Sequence, residues 1–319
     1  MKIFSGVRPS GQFHLGNYLG AIKQWVELQK ENDCIFSVVD YHGITTPYEP
    51  KDMPKMILDG AKDVLAAGID ADKSILFLQS DRPEHTELAW LLNTISTMGE
   101  LNRMTQYKEK SEKYEQLVGL FDYPILMAAD ILIYQAEGVP VGEDQVQHVE
   151  LTRDLARRMN QKYGLDFPEP KVLLRAEKRV MGLDGKGKMS KSNFPSTYIA
   201  INDSPDMIRQ KIASATTDTG SGDDISPATL NLIGLMESFA GKEKADRYLE
   251  QRKAGTIKYS EFKPELAEAI IKELEPIQKR RAEISDEDVK KIFQSGALKL
   301  AAPAGKTIQE VKEKMGLVI

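Results

Sequence analysis

Two short stretches carry the side chains with the most evident chemistry. Lys188-Met189-Ser190-Lys191-Ser192 sets two lysines three residues apart, within a glycine- and serine-rich run spanning 183–193. Ammonium groups and hydroxyls on such a loop can follow negative charge as it develops during phosphoryl transfer. Near the start of the chain, His14-Leu15-Gly16-Asn17 falls where an apolar, strand-like stretch gives way to a helical pattern. A glycine at that point lets a ring or a phosphate approach the backbone, and His14 and Asn17 can donate hydrogen bonds to phosphate oxygens. Each stretch alone also reads as ordinary structure, a solvated basic loop and a strand-to-helix turn. A third feature is Asp130, three residues after Met127 in the apolar run "YPILMAADILIY". A carboxylate in such a helix is costly unless it is paired. No Ser/His/Asp, paired-carboxylate or Cys/His constellation stands out, so the residues suit positioning and charge stabilisation more than general-base work.

The elements that must hold these groups can be read from periodicity. Lys2–Gly6, Ile35–Asp40 and Ser74–Gln79 read as strands, separated by helical patterns over Tyr18–Lys30 and Asp52–Ala67. Asp52 is a candidate cap and Gly68 a stop for the second helix. This βαβαβ order predicts a doubly wound parallel sheet, with ligands beyond the carboxyl ends of the strands, at the loops 6–17 and 40–48. From Glu84 to Tyr163 the chain reads as mostly helical, with Tyr123–Tyr134 and Gln145–Tyr163 the clearest segments and "EGVPVGED" interrupting them. Beyond Tyr198–Ile201 helices are expected near 205, 227–240, 242–253, 261–283, 285–295 and 306–315. The fold class is therefore α/β, a Rossmann-like doubly wound parallel sheet followed by an all-helical region. The expected division is 1–195, with a helical insertion at about 103–170, and 196–319.

At 319 residues, 41% hydrophobic and 29% charged, the composition is that of an ordinary globular protein of roughly two domains. No apolar run approaches a membrane span, and the N-terminus lacks a signal-peptide layout. The single cysteine, Cys34, lies in a strand-like run and excludes an internal disulfide, which suits a reducing cytoplasm. A net charge of −5 argues against a protein that coats nucleic acid non-specifically, but leaves room for RNA recognition by local patches such as Lys279-Arg280-Arg281 and Lys290-Lys291.

The lysine loop and His14-Leu15-Gly16-Asn17 resemble the two signatures of class I aminoacyl-tRNA synthetases, and they occur in the family's order. "GVRPSGQFHLGNYLGAI", "YPILMAADILIY" and "PVGEDQVQHVELTRDLARR" are similar to the bacterial tryptophanyl branch, densely over 1–192 and more loosely beyond. The resemblance implies activation of L-tryptophan by ATP with Mg²⁺, then transfer to the terminal adenosine of tRNA(Trp). It also implies a cytoplasmic homodimer with no structural metal. Lys188, Lys191, His14, Asn17 and Lys110 would be the catalytic residues. Asn17 stands in place of the final histidine of the general motif, keeping a donor that does not titrate. Arg8, Pro9, Ser10 and Gly16 would approach the ATP phosphates, with Arg8 standing where many members of the branch have glutamine.

Gly142, Glu143 and Asp144 would meet the ribose, although Asp144 also reads as a helix cap. Val180 would contact adenine, and Met189, Ser190 and Ser192 complete the loop's share of the nucleotide site. For the amino acid, Asp130 would accept the indole N–H, a donor-only group. Phe4, Tyr123, Met127, Val139 and Val141 would line the slot, with His42 and Gln145 at its edge and Gln106 reaching the amino acid. His85 and His148 carry no special assignment. Two alternatives stay open at this level: a tyrosyl-tRNA synthetase, since Asp130 could equally accept a phenol, and a synthetase-like RNA-binding regulator without catalysis.

Overall fold

The computed structural model describes the chain apart from residues 10, 113, 114, 116, 175–179 and 191–193, and for 109–111 it describes the helical backbone alone. Its centre is a five-stranded sheet of Lys2–Val7 (β1), Asp33–Val38 (β2), Ile75–Leu78 (β3), Gly138–Val141 (β4) and Lys171–Leu174 (β5), in the order β3-β2-β1-β4-β5. All the pairings are parallel, with Lys2 opposite Asp33, Ile35 opposite Ile75 and Ile3 opposite Gly138. This is the doubly wound arrangement expected from the βαβαβ pattern, and its switch point lies between β1 and β4. β2 is almost wholly buried, as an apolar strand covered on both faces should be. The sequence reading missed β4 and β5. "GVPV" is short, contains a proline and lies inside what reads as a helix interruption, so only its burial in the sheet identifies it as a strand.

The first helix (α1) is assembled from Leu15–Asn17, a π-helical turn Tyr18–Ile22 and Lys23–Leu28. Met53–Ala66 (α2), Glu84–Asn93 (α3), Val118–Leu132 (α4) and Val146–Tyr163 (α5) complete the first part of the chain, with a short helix Thr105–Ser111 before α4. Pro205–Ser214 (α6), Pro227–Ala240 (α7), Lys242–Lys253 (α8), Tyr259–Glu283 (α9) and Asp286–Lys314 (α10) follow. Ser204 and Ser226 cap α6 and α7, each with a proline in the first helical turn, as the sequence led one to expect for Ser204.

Two expected helices, 285–295 and 306–315, are one continuous α10 through Pro303. Val289, Phe293, Leu300, Ala304, Ile308 and Val311 keep a helical stride across the proline, and their burial outweighs its local preference. Val289 and Phe293 join the core on one face of the sheet and Leu300 to Val311 the core on the other, so α10 closes the β3 edge and ties both layers together. The close approach has a sequence cause: a Cβ on Gly296 would lie 2.3 Å from the Leu76 carbonyl oxygen.

The helical region also packs back on the rest of the chain. Arg281 donates to Asp63 at 2.5 Å and Asp59 at 2.7 Å on α2, and Arg280 donates to the Ala66 carbonyl at 2.7 Å. These two arginines therefore help dock α9 on α2, while Lys279 and Arg280 remain exposed. Lys279 and Lys290 each pair with a glutamate on their own helix.

Candidate active site

A cavity of about 210 Å³ opens at the carboxyl ends of β1 and β4. Phe4 and Ser5 of β1, with Val139, Pro140 and Val141 of β4, form one wall, and Tyr123, Met127 and Asp130 of α4 face them. His42 and Thr45, from the loop after β2, and Gln145, from the turn after β4, line it as well. The α4 side chains reach it because positions 123, 127 and 130 share one face of the helix. Eight of the residues assigned to the amino-acid slot thus come together. Gln106 does not line it; it sits half-buried on Thr105–Ser111, and the Lys110 side chain lies outside the described residues. Arg8, expected at the ATP phosphates, lines this cavity, with Nη2 donating to Thr46 Oγ1 at 2.7 Å.

Asp130 is 1% exposed and is held by three side chains. His42 Nε2 lies 2.9 Å from Oδ2, His85 Nδ1 lies 2.6 Å from Oδ1, and Gln79 Nε2 donates to both oxygens at 2.8 and 2.9 Å. Burial alone would raise the carboxyl pKa, but the hydrogen bonds and charges of His42 and His85 outweigh it and hold the group down at about 2. Gln79 is itself oriented, since its Oε1 accepts from the Tyr41 N–H at 3.1 Å. Sequence reasoning overlooked Gln79 and His85. The available signal was position: Gln79 directly follows β3, where a doubly wound sheet places functional groups. His148, which carried no special assignment, is buried on α5 with Nε2 2.9 Å from the Tyr123 hydroxyl.

The two signature stretches meet. The Leu15 N–H donates to the Ile199 carbonyl at 3.0 Å and the Ile201 N–H to the Phe13 carbonyl at 2.8 Å, so the segment after the lysine loop is paired to the first motif. Gly16 is wedged between the His14 ring, 2.9 Å from where a Cβ would sit, and Met189 Cβ, 3.6 Å away. Met189 is 1% exposed, so its side chain anchors the loop in the core. The Met189 N–H donates to the Val180 carbonyl at 3.0 Å, next to the bridge between Met181 and Lys188, which puts Val180 at a bridged turn. Pro9 is likewise buried, against Gly43.

The Asn17 side-chain oxygen accepts from the His14 N–H at 3.1 Å, which turns its amide N–H groups outward as donors. Lys188 is exposed, and Lys191, Ser192 and Ser10 lie outside the described residues. Glu143 and Asp144 are exposed on a 3₁₀ turn after Gly142. Asp144 caps nothing by side chain; its Oδ2 accepts from Gln145 at 3.3 Å.

The model for class I tRNA synthetases of the W and Y type matches residues 1–275. The chain belongs to this family. A tryptophan–tRNA ligase of Caldanaerobacter subterraneus is 46% identical over 100% of this chain and 99% of that protein. Among solved structures, a tryptophanyl-tRNA synthetase of Mycoplasma pneumoniae superposes with a TM-score of 0.88 at 35% identity, over 99% of this chain and 98% of that one. A Campylobacter jejuni tryptophanyl-tRNA synthetase, solved with ADP and tryptophan, gives 0.85 at 34%, over 99% and 100%. Family membership places the resemblance read from the two motifs on the whole fold. Among the described residues no group of three or more His, Cys, Asp or Glu side chains could hold a metal, and no helix is long and apolar enough to cross a membrane.

Proposed function

We infer that the chain is a tryptophan–tRNA ligase. It joins L-tryptophan to ATP, forming tryptophanyl-AMP and pyrophosphate, and passes the tryptophanyl group to the terminal adenosine of tRNA(Trp). The observation that carries this is the ionised Asp130 carboxylate at the buried end of a cavity walled by Phe4, Met127, Val139 and Val141. A flat apolar ring with one N–H fits such a site, and indole is that group.

The chemistry needs little proton transfer. A tryptophan carboxylate oxygen attacks the α-phosphorus, the bond to the bridging oxygen breaks, and pyrophosphate leaves with its charge. Mg²⁺ arrives with ATP as part of the substrate. We assign Asn17, through its outward amide, and His14 to the phosphate oxygens, and Lys188 with Lys191 to the charge that builds on the departing pyrophosphate. Lys110 would contribute a further cation. Gly16 supplies the close approach, Glu143 and Asp144 the acceptors for ribose hydroxyls, and Gln145 an oxygen for the α-ammonium. In the second step a ribose hydroxyl, the 2′-OH in our reading, attacks the carbonyl carbon and AMP departs.

We assign residues 196–319 to contact with the tRNA, in the cytoplasm, and a second copy of the chain as partner. The exposed Trp90, Met98 and Val118, on adjoining segments, offer that copy an apolar surface. Pyrophosphate exchange with each of the twenty amino acids tests the assignment. Exchange with tryptophan alone is expected; a tyrosine response would move the activity to the sister branch, and silence throughout would remove it.

A further inference from the structure

Behind Asp130 lies a hydrogen-bond chain that does not touch the cavity. His85 is wholly buried on α3, with its ring against Phe77 and Tyr134 at centroid distances of 5.7 and 5.3 Å. Its Nδ1 faces Asp130 Oδ1 at 2.6 Å and its Nε2 faces the Tyr134 hydroxyl at 2.7 Å. The direction of the first bond can be worked out. Asp130 is ionised and only accepts, so Nδ1 carries the hydrogen. The Tyr134 hydroxyl, on a residue that is 1% exposed, faces Nε2 on the other side of the ring. His85 thus presents its Nδ1–H to Asp130 while its ring is fixed from behind by tyrosine, a group that burial keeps protonated.

The consequence reaches the ligand. His42, Gln79 and His85 all direct donors at Asp130, and Gln79 is locked in that sense by the Tyr41 N–H. The buried end of the cavity thus presents a carboxylate whose neighbours donate to it and not to the ligand. An indole N–H, which only donates, matches that surface; an atom bearing a lone pair at the same place faces the anion.

We propose that His85 is a positioning residue for amino-acid selection, holding Asp130 through the Tyr134–His85–Asp130 chain as an acceptor aimed at the indole N–H. The proposal rests on Asp130 being the indole partner. The test compares tryptophan with β-(3-benzothienyl)alanine, in which sulfur replaces the ring N–H, by kcat/KM in pyrophosphate exchange. Because both substrates are measured on one preparation, a smaller folded fraction cancels in the ratio.

Wild type should prefer tryptophan by about a hundredfold or more, as a site built around one hydrogen bond does. His85→Leu should lower that preference about tenfold, the scale of a lost hydrogen bond to a charged group. His85→Asn, whose amide can donate from near the Nδ1 position, should restore most of it. Tyr134→Phe should give a smaller loss in the same direction. An unchanged preference in His85→Leu, or no rescue by His85→Asn, would overturn the proposal. If His85→Leu does not fold, full preference in Tyr134→Phe overturns it equally. Absence of discrimination in the wild type would instead remove the Asp130 reading itself.

Discussion

Lys188 and Asp130, assigned above to the departing pyrophosphate and to the indole, have surroundings that suit different kinds of work. Lys188 is exposed on a loop whose neighbour Met189 is sealed in the core, so the cation is free to reach while its base is held. Lys188→Ala should lower kcat for activation about a hundredfold and leave the KM for tryptophan within about twofold, since an interaction made only in the transition state leaves ground-state binding alone. Steady-state exchange kinetics measure both, and equal losses would assign Lys188 to binding. Asp130 works by staying ionised. Burial opposes this, yet the His42 and His85 bonds bring its pKa to about 2, below that of an unfolded carboxyl. Its contribution to stability is therefore complete above the ordinary carboxylate range and is lost as pH falls from about 4 toward 2. Urea melts of wild type and Asp130→Asn should differ by on the order of 2 kcal/mol at pH 6 and converge toward pH 2.5.

At the scale of elements, the loop before α7 shows what the sequence conceals. Asp218 accepts from Arg252 Nε at 2.7 Å and Thr229 Oγ1 at 3.0 Å, with Ser226 and Tyr259 also bonded to it, so one carboxylate joins this loop to α7, α8 and α9. Arg252 is 2% exposed. Removing its partner's charge leaves a buried guanidinium unpaired, and Asp218→Asn should cost about 3 kcal/mol in thermal or urea unfolding. Asp218→Asn with Arg252→Met should be more stable than Asp218→Asn alone; the reverse order would show that the pair is not the cause. Nothing in local periodicity marks Asp218, because its partners lie as far as Tyr259 along the chain. The same limit explains β4 and β5. The strands β1 to β3 and helices such as 227–240 were legible because each declares itself within one period of burial. Phe4, Met127 and Asp130 were legible through resemblance and shared helix faces. Gln79, His85 and the docking roles of Arg280 and Arg281 were not, since each acquires its role from a partner 45 or more residues away.

For the whole molecule, the decisive contact is that of α10 with β3, because the same strand ends at Gln79, which holds Asp130. A Cβ on Gly296 would fall 2.3 Å from the Leu76 carbonyl oxygen and 3.1 Å from Phe77 Cβ, and neither backbone nor core can yield that distance cheaply. Gly296→Ala must therefore lift α10 off the sheet edge or bend β3. We expect a loss of about 2 kcal/mol or more in unfolding free energy, against the roughly 0.5–1 kcal/mol that alanine would gain inside a free helix. The strain should also travel along β3 into the cavity, raising the KM for tryptophan while the KM for ATP, assigned above to residues at the start of α1, stays near wild type. Leu298→Ala is the control, since Leu298 lies on the same helix but is 75% exposed. It should change neither stability nor KM by more than a small factor. If Gly296→Ala matched that control in both measurements, α10 would not lie against β3 in solution, and the coupling between the C-terminal helix and the tryptophan site would be lost with it.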